Sequence, residues 1–331
     1  MSVLHICNTF FEQELETPSS HLLSDWFQVH KMVLQLQFLP LLYAEPHDRI
    51  LVTALPERPD PRLCLLENPP CLPLEHWGPS LAIAAWAKKN KLAYKIPDWE
   101  TVRAINSKVF SFSEAPKLPG AALLATAAEV LSWIEHTPGP KVLKTAYGTA
   151  GAGHFHIGKS GLESFLKKQF DLGLPVIGEP WVERLLDFST QWRIGEKIEF
   201  LGPTLFENAP NGTYRATLIG APFGWELEEH LAIAKPLLEK IARMGFFGNL
   251  GIDAYVYRWQ GKERLQPIVE INGRKTMSWA ALQIQQRTFP GQVLHFSFAK
   301  GKEGPLPMHL GKINFSHQVS LVARRMSQNL P

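Results

Sequence analysis

The chain has 331 residues, 45% hydrophobic and 20% charged, which is enough apolar material for two or three domains with their own cores. A formal net charge of +3 excludes a whole-molecule field for nucleic acid but leaves room for a local anionic ligand. No apolar run approaches the ~18 residues of a membrane span, the N-terminus lacks the basic start of a signal peptide, and Cys7, Cys64 and Cys71 have no metal-like spacing; a cytoplasmic protein with free thiols and no nucleic-acid or membrane partner is expected.

Residues 1–100 read as a compact α/β domain. Ser2–Cys7 and Ile50–Ala54 are short buried strands, and His21–Gln37 carries a broad helical stripe. Ser80 caps a helix over Leu81–Lys88. Strand, helix, strand, helix predicts a small parallel sheet. No glycine-rich turn follows the first strand, so a dinucleotide site is not expected there.

A second domain is expected over 101–175. A helix opens at Pro97–Trp99 and runs through Val102, Ile105 and Val109; a second spans Thr126–Trp133. Turns fall at Leu118-Pro119-Gly120 and Thr137–Pro140. The stretch from Lys141 to Ser160 then supports two competing phosphate-binding readings. Gly153–Ser160 matches G-x-x-x-x-G-K-[ST], but no strand precedes Gly153, and His154–Ile157 alternates like a strand instead of forming a cradle. In the other reading Lys144 lies on a strand and the loop Tyr147–Gly153 offers unobstructed N–H groups to phosphate oxygens. Taken alone, an ordinary glycine-rich hairpin explains the same residues.

The third domain, 176–331, has antiparallel character. Pro175–Gly178 is a strand, Glu183–Asp187 a turn, and Ser189–Ile194 with Lys197–Gly202 a hairpin. Thr204–Glu207 and Thr213–Leu218 flank the hairpin signal Asn211-Gly212. Leu227–Met244 is an amphipathic helix closed by Gly245. Gly251–Tyr257 and Arg264–Ile271 are strands joined at Gln260-Gly261, and a helix is expected around Gln318–Met326.

The downstream residues decide between the two loop readings. Glu270 and Asn272, two apart on a strand, share a face that Asp253 can join from its neighbour. Two carboxylates and an amide are hard oxygen ligands suited to Mg²⁺ holding nucleotide phosphates. Ile252, Ala254, Val269 and Ile271 beside them argue against a merely solvated face. Arg274 and Lys275 follow directly, and Glu179 with Trp181 or Val182 offers a carboxylate and an apolar wall for an adenine edge.

The order Asn106-Ser107-Lys108, Lys144 with the Gly148–Gly153 loop, Glu179-Pro180-Trp181-Val182, Asp187, Asp253 and Glu270-Ile271-Asn272 resembles the ATP-grasp superfamily over roughly 100–285. The resemblance implies an α/β fold with α+β character in its C-terminal half: a small parallel-sheet N-terminal domain, a central lid subdomain and a C-terminal antiparallel subdomain. It implies that Lys108, Lys144, Gly148, Gly151 and Gly153 contact ATP phosphates, that Glu179, Trp181 and Val182 hold adenine, and that Asp187, or Glu183, holds ribose. Asp253, Glu270 and Asn272 become the Mg²⁺ ligands, with Mn²⁺ an alternative, and Arg274 and Arg215 phosphate-facing catalytic cations beside Lys144. Glu179-Pro180-Trp181-Val182 and Glu270-Ile271-Asn272-Gly273 are loosely similar to the D-alanine–D-alanine ligase-like branch, but Gly251 and Lys275-Thr276 depart from it at the acceptor end. The implied activity is an ADP-forming ligase joining a small carboxylate to an amine or thiol, with amino acids or a peptide among the substrates and a homodimer as the family habit. The alternatives are a phosphotransferase on the same site and a nucleotide-binding protein without ligase activity.

Overall fold

A computed structural model describes residues 2–16, 22–28, 30–148, 153–209, 212–301 and 303–325. The chain divides into two compact units. The first comprises Met1–Trp99, Arg215–Pro222 and Arg274–Pro331, and the second Glu100–Tyr214 and Phe223–Gly273.

In the first unit, β1 (Leu4–Ile6), β2 (Arg49–Val52), β3 (Leu63–Leu65) and β4 (Leu74–His76) form an all-parallel sheet in the order β3-β2-β1-β4. Leu4, Ile6, Ile50, Leu51 and Val52 are buried although they alternate across the sheet, as in a parallel sheet covered on both faces. The expected helix over 21–37 is two short ones, α2 (Leu23–Gln28) and α3 (Lys31–Leu36), after α1 (Phe11–Glu16). His30 is extended and its Nδ1 accepts from the Met32 amide, which caps a new helix where the apolar stripe suggested continuity. α4 (Leu81–Lys89) starts at Ser80 as expected, with the Ser80 hydroxyl accepting from the Ile83 amide.

The second unit opens with α5 (Trp99–Ile105) and α6 (Lys108–Glu114), where one helix was expected; Ser107 is extended and caps α6 through the Val109 amide. β5 (Ala122–Leu124), β6 (Lys141–Thr145), β7 (His154–His156) and β8 (Val176–Pro180) form an antiparallel sheet, β5-β8-β6-β7. One face buries Leu124, Leu143 and Val176 against Val130 and Trp133 of α7 (Ala127–His136) and Leu166 of α8 (Leu162–Asp171). α7 is held by a reciprocal box between Thr126 and Glu129. Gly178 is required by close approach, because a Cβ there would lie 2.8–2.9 Å from three indole carbons of Trp133. Gly178→Ala is therefore expected to lower the urea midpoint, at a cost of about 1–3 kcal/mol, with the unfolding slope unchanged.

β9 (Glu183–Ile194) and β10 (Ile198–Asn208) form the expected hairpin, but β9 begins at Glu183, where a turn was expected. Cross-strand pairing of Arg184, Leu186 and Asp187 with the strand containing Asp253 outweighs the local polarity of that run. Asn211 lies outside the described residues; the chain beyond it enters β11 (Tyr214–Ile219). α9 (Glu228–Arg243) ends at Met244 with Gly245 in the left-handed region, as expected. β12 (Gly248–Trp259) and β13 (Lys262–Asn272) pair antiparallel around Gln260-Gly261, both at positive φ, and β12 also pairs with β9.

The chain then returns to the first unit through α10 (Met277–Thr288), capped by Thr276, and β14 (Gln292–Lys300), which pairs with β11. After the small hairpin β15 (His309–Leu310) and β16 (Ile313–Asn314) comes β17 (His317–Arg325), antiparallel to β14. The helix expected around Gln318–Met326 is thus a strand; Met326 itself lies outside the described residues. Nine successive pairings with β14, among them Val319 on Phe298 and Val322 on His295, decide a segment whose own periodicity is ambiguous. No described helix is long and apolar enough to cross a membrane.

Candidate active site

The carboxylate cluster comes from one β-ladder of the second unit. Asp253 on β12 and Glu270 on β13 are direct cross-strand partners, so their side chains share a face, which Asn272 joins two residues on. The Asn272 amide donates to Asp253 Oδ2 at 3.1 Å. On the opposite face Ile252 and Ile271 are fully buried, which fixes the register: a one-residue slip would turn the carboxylates into the core.

Lys108, at the start of α6, reaches this ladder. Its Nζ lies 2.7 Å from Glu270 Oε1 and donates to the Gly148 carbonyl at 2.6 Å. Three hydrogen bonds set its position. The Ile271 amide donates to Ser111 Oγ at 3.1 Å, the Gly273 amide to Asn106 Oδ1 at 2.8 Å, and the Lys108 amide to the Ala146 carbonyl at 2.8 Å. The helix break at Asn106-Ser107 thus ties α6 to both β13 and the segment after β6. Asn106 belongs to the motif order that carries the resemblance, but without a contact assigned to it; Ser111 had no signal beyond its spacing, one helical turn after Ser107.

Lys144 on β6 is 3% exposed, and its Nζ lies 2.5 Å from Glu179 Oε2 on β8. Register pairing of Val142 with Glu179, and of Lys144 with His154, puts Lys144, Glu179 and His154 on one sheet face. Lys108, Lys144 and Glu179 line a narrow cleft walled by Leu118, Ile177 and Val269. Val182 packs with Leu118, Tyr255 and Tyr257 beside it. The Trp181 ring meets His156 edge-on at 4.5 Å and lies 5.5 Å from the Arg184 guanidinium, which covers Tyr255 at 4.2 Å. Of the two ribose candidates, Asp187 is partly buried and bonds Arg184 at 2.9 Å, whereas Glu183 is exposed and pairs with Arg258.

In the loop, Gly148 has φ 130°, and any Cβ at Gly153 would collide with Thr145 Oγ1. Gly151 lies outside the described residues. The competing G-x-x-x-x-G-K-[ST] match does not form a strand–loop–helix cradle. His154–His156 is a strand paired to β6, Lys159 and Ser160 are exposed in the turn beyond it, and α8 starts only at Leu162 after left-handed Gly161. Arg215 and Arg274 belong to the first unit. Arg215 is exposed on β11, and Arg274 Nε lies 2.5 Å from Glu12 Oε1. Lys275, which follows Arg274, is 1% exposed there, 2.6 Å from Glu75 Oε1 and over the Trp279 ring at 4.5 Å.

No family model and no curated protein matches the sequence. Solved structures do match. N5-carboxyaminoimidazole ribonucleotide synthetase, in an ADP complex, has a TM-score of 0.54 at 13% identity over 88% of this chain and 90% of its own. N5-carboxyaminoimidazole synthetase from Staphylococcus aureus, also with ADP, has a TM-score of 0.51 at 13% identity over 81% of this chain and 80% of its own. Pyruvate carboxylase from Rhizobium etli has a TM-score of 0.55 at 14% identity over 81% of this chain and 30% of its own. With the motif order and the mixed sheets, these place the chain in the ATP-grasp fold. At these identities the likeness is one of fold.

Proposed function

We propose that the chain is an ATP-dependent ligase that activates a small carboxylate as an acyl phosphate and passes the acyl group to an amine or thiol, releasing ADP and phosphate. The observation that carries this reading is the convergence, within one unit, of Lys108 and Lys144 on a cleft beside the Asp253–Glu270 pair. The donor set fits Mg²⁺ or Mn²⁺: two cross-strand carboxylates and an amide, all hard oxygen donors, with Glu270 still a quarter exposed. That the matched synthetases hold ADP in the same fold supports ATP as the nucleotide.

In this reading Lys108 and Lys144 exchange their carboxylate partners for phosphate oxygens. Glu179 and the backbone at Val182 hold the adenine edge against Leu118 and Val269, and Asp187 takes the ribose. Asp253, Glu270 and Asn272 hold the metal, whose part is to neutralise charge on the polyphosphate. The substrate carboxylate oxygen attacks the γ-phosphorus and ADP leaves. The amine or thiol then attacks the acyl carbon and phosphate leaves. This chain's residues contribute position and fixed charge.

The test incubates the protein with Mg-ATP and pooled small acids and amines, and measures ADP and free phosphate separately. Both products are expected only when an acid and a nucleophile are present together. ADP without free phosphate would overturn the ligase in favour of phosphoryl transfer. Failure to bind ATP by calorimetry would overturn the nucleotide reading altogether.

A further inference from the structure

Strand β7 alternates histidine, phenylalanine, histidine. Phe155 points into the core beneath the sheet, its ring 5.0 Å from that of Phe165. His154 and His156 therefore share the opposite face with Lys144 and Glu179. Both imidazoles are partly buried, and each has a ring nitrogen shut away from solvent with no hydrogen-bond partner among the described residues: Nδ1 of His154 and Nε2 of His156. A buried polar atom left unpaired costs free energy, and two of them on one face beside Lys144 suit a polar partner.

The groups facing His154 are nearly all cationic: Lys144 from β6, Lys108 from α6 and Arg184 from β9, with the His156 imidazole on its own strand; Glu179, on β8, is engaged by Lys144. Burial first, then these cations, push the His154 pKa down to about 3, so the ring is neutral at physiological pH. Gly212 lies beside the ring, and a Cβ there would meet His154 Nδ1 at 3.8 Å, in ordinary van der Waals contact.

We propose that His154 is a proton-coupled ligand for the nucleotide's polyphosphate: its imidazole is neutral in the free protein, and takes a proton from solvent as the anion binds, donating from Nδ1 to a phosphate oxygen. The inference rests on the nucleotide reading above and adds a pH response to it. A bound polyphosphate reverses the sign of the field that Lys108, Lys144 and Arg184 impose, and so favours the imidazolium it contacts. Binding then carries proton uptake, and the linkage sign follows: nucleotide affinity rises as pH falls toward neutrality, by up to about tenfold per pH unit for one proton fully taken up. His156, turned toward Trp181, is the neighbour whose loss should leave that slope intact.

The experiment follows histidine ring signals of the full chain by NMR between pH 6 and 8.5, with and without ADP, assigning His154 through His154→Gln. Calorimetry gives the ADP affinity of each protein at pH 7 and pH 8. His154 is expected to remain neutral across this range without ADP and to be an imidazolium at pH 7 with it. The wild-type ADP affinity is expected to gain several-fold more between pH 8 and pH 7 than that of His154→Gln, a comparison in which ADP's own titration cancels. If His154→Gln does not fold, His154→Asn supplies the assignment; His156→Gln should keep the wild-type slope. ADP bound with His154 still neutral overturns this inference alone. No ADP binding by the wild-type chain at any pH overturns the nucleotide reading and this inference with it.

Discussion

Glu270→Gln is expected to lower Mg-ATP turnover more than about a hundredfold while leaving metal-free ADP binding within a few-fold of wild type. Glutamine keeps the size of the side chain and an oxygen that can still accept from Lys108 Nζ, now 2.7 Å from the carboxylate. What it removes is the anionic hard donor opposite Asp253, and loss of a ligand should exceed the 10–100-fold typical of losing a ligand's supporting partner. The substitution also withdraws the counter-charge of Lys108, which is 6% exposed, so thermal stability must be measured alongside activity. Turnover within threefold of wild type, in a protein that melts normally, would remove Glu270 from the metal set.

Lys144→Ala should weaken ADP binding about 10–100-fold, the size of one lost charge-assisted contact of roughly 1.5–3 kcal/mol. Lys159→Ala should change it less than twofold, since Lys159 is exposed in the turn after β7. Calorimetric titration of both variants reads the difference directly. The reverse result would reinstate the G-x-x-x-x-G-K-[ST] stretch as the phosphate site. Lys144→Ala also strips Glu179 of its buried partner, so Lys144→Met, which keeps the stem but not the charge, separates packing from electrostatics.

What the sequence revealed here follows from how local each signal is. The pairing of Asp253 with Glu270 was legible because both strands are long, a positive-φ turn joins them, and period-two alternation needs only neighbouring residues. β3 and β4 were not, being three residues each among prolines, where pairing with β2 and β1 supplies what propensity does not. β17 was misread because its partner lies elsewhere in the chain. The break at Asn106-Ser107 was hidden for a related reason: beside the local Ser107 cap, it is held by the Gly273 amide, 167 residues away, which donates to Asn106 Oδ1. Likewise nothing local to Glu179 reveals that Lys144 holds it.

The two ion pairs of the cleft have a consequence for selectivity. Lys108 is held by Glu270, and Lys144 by Glu179, so each cation already has its anion. A stray inorganic anion that took Lys108 would strand the Glu270 carboxylate beside the Asp253 carboxylate, a repulsion it could not relieve. A stray metal ion that took Glu270 would strand the ammonium in the same way. A visitor carrying both signs at once, an anionic chain with its own divalent cation, trades both partners of the Lys108–Glu270 pair without leaving either charge behind. The cleft behaves as a lock that turns most easily with two keys together, its internal salt bridges weakening the hold of either one alone.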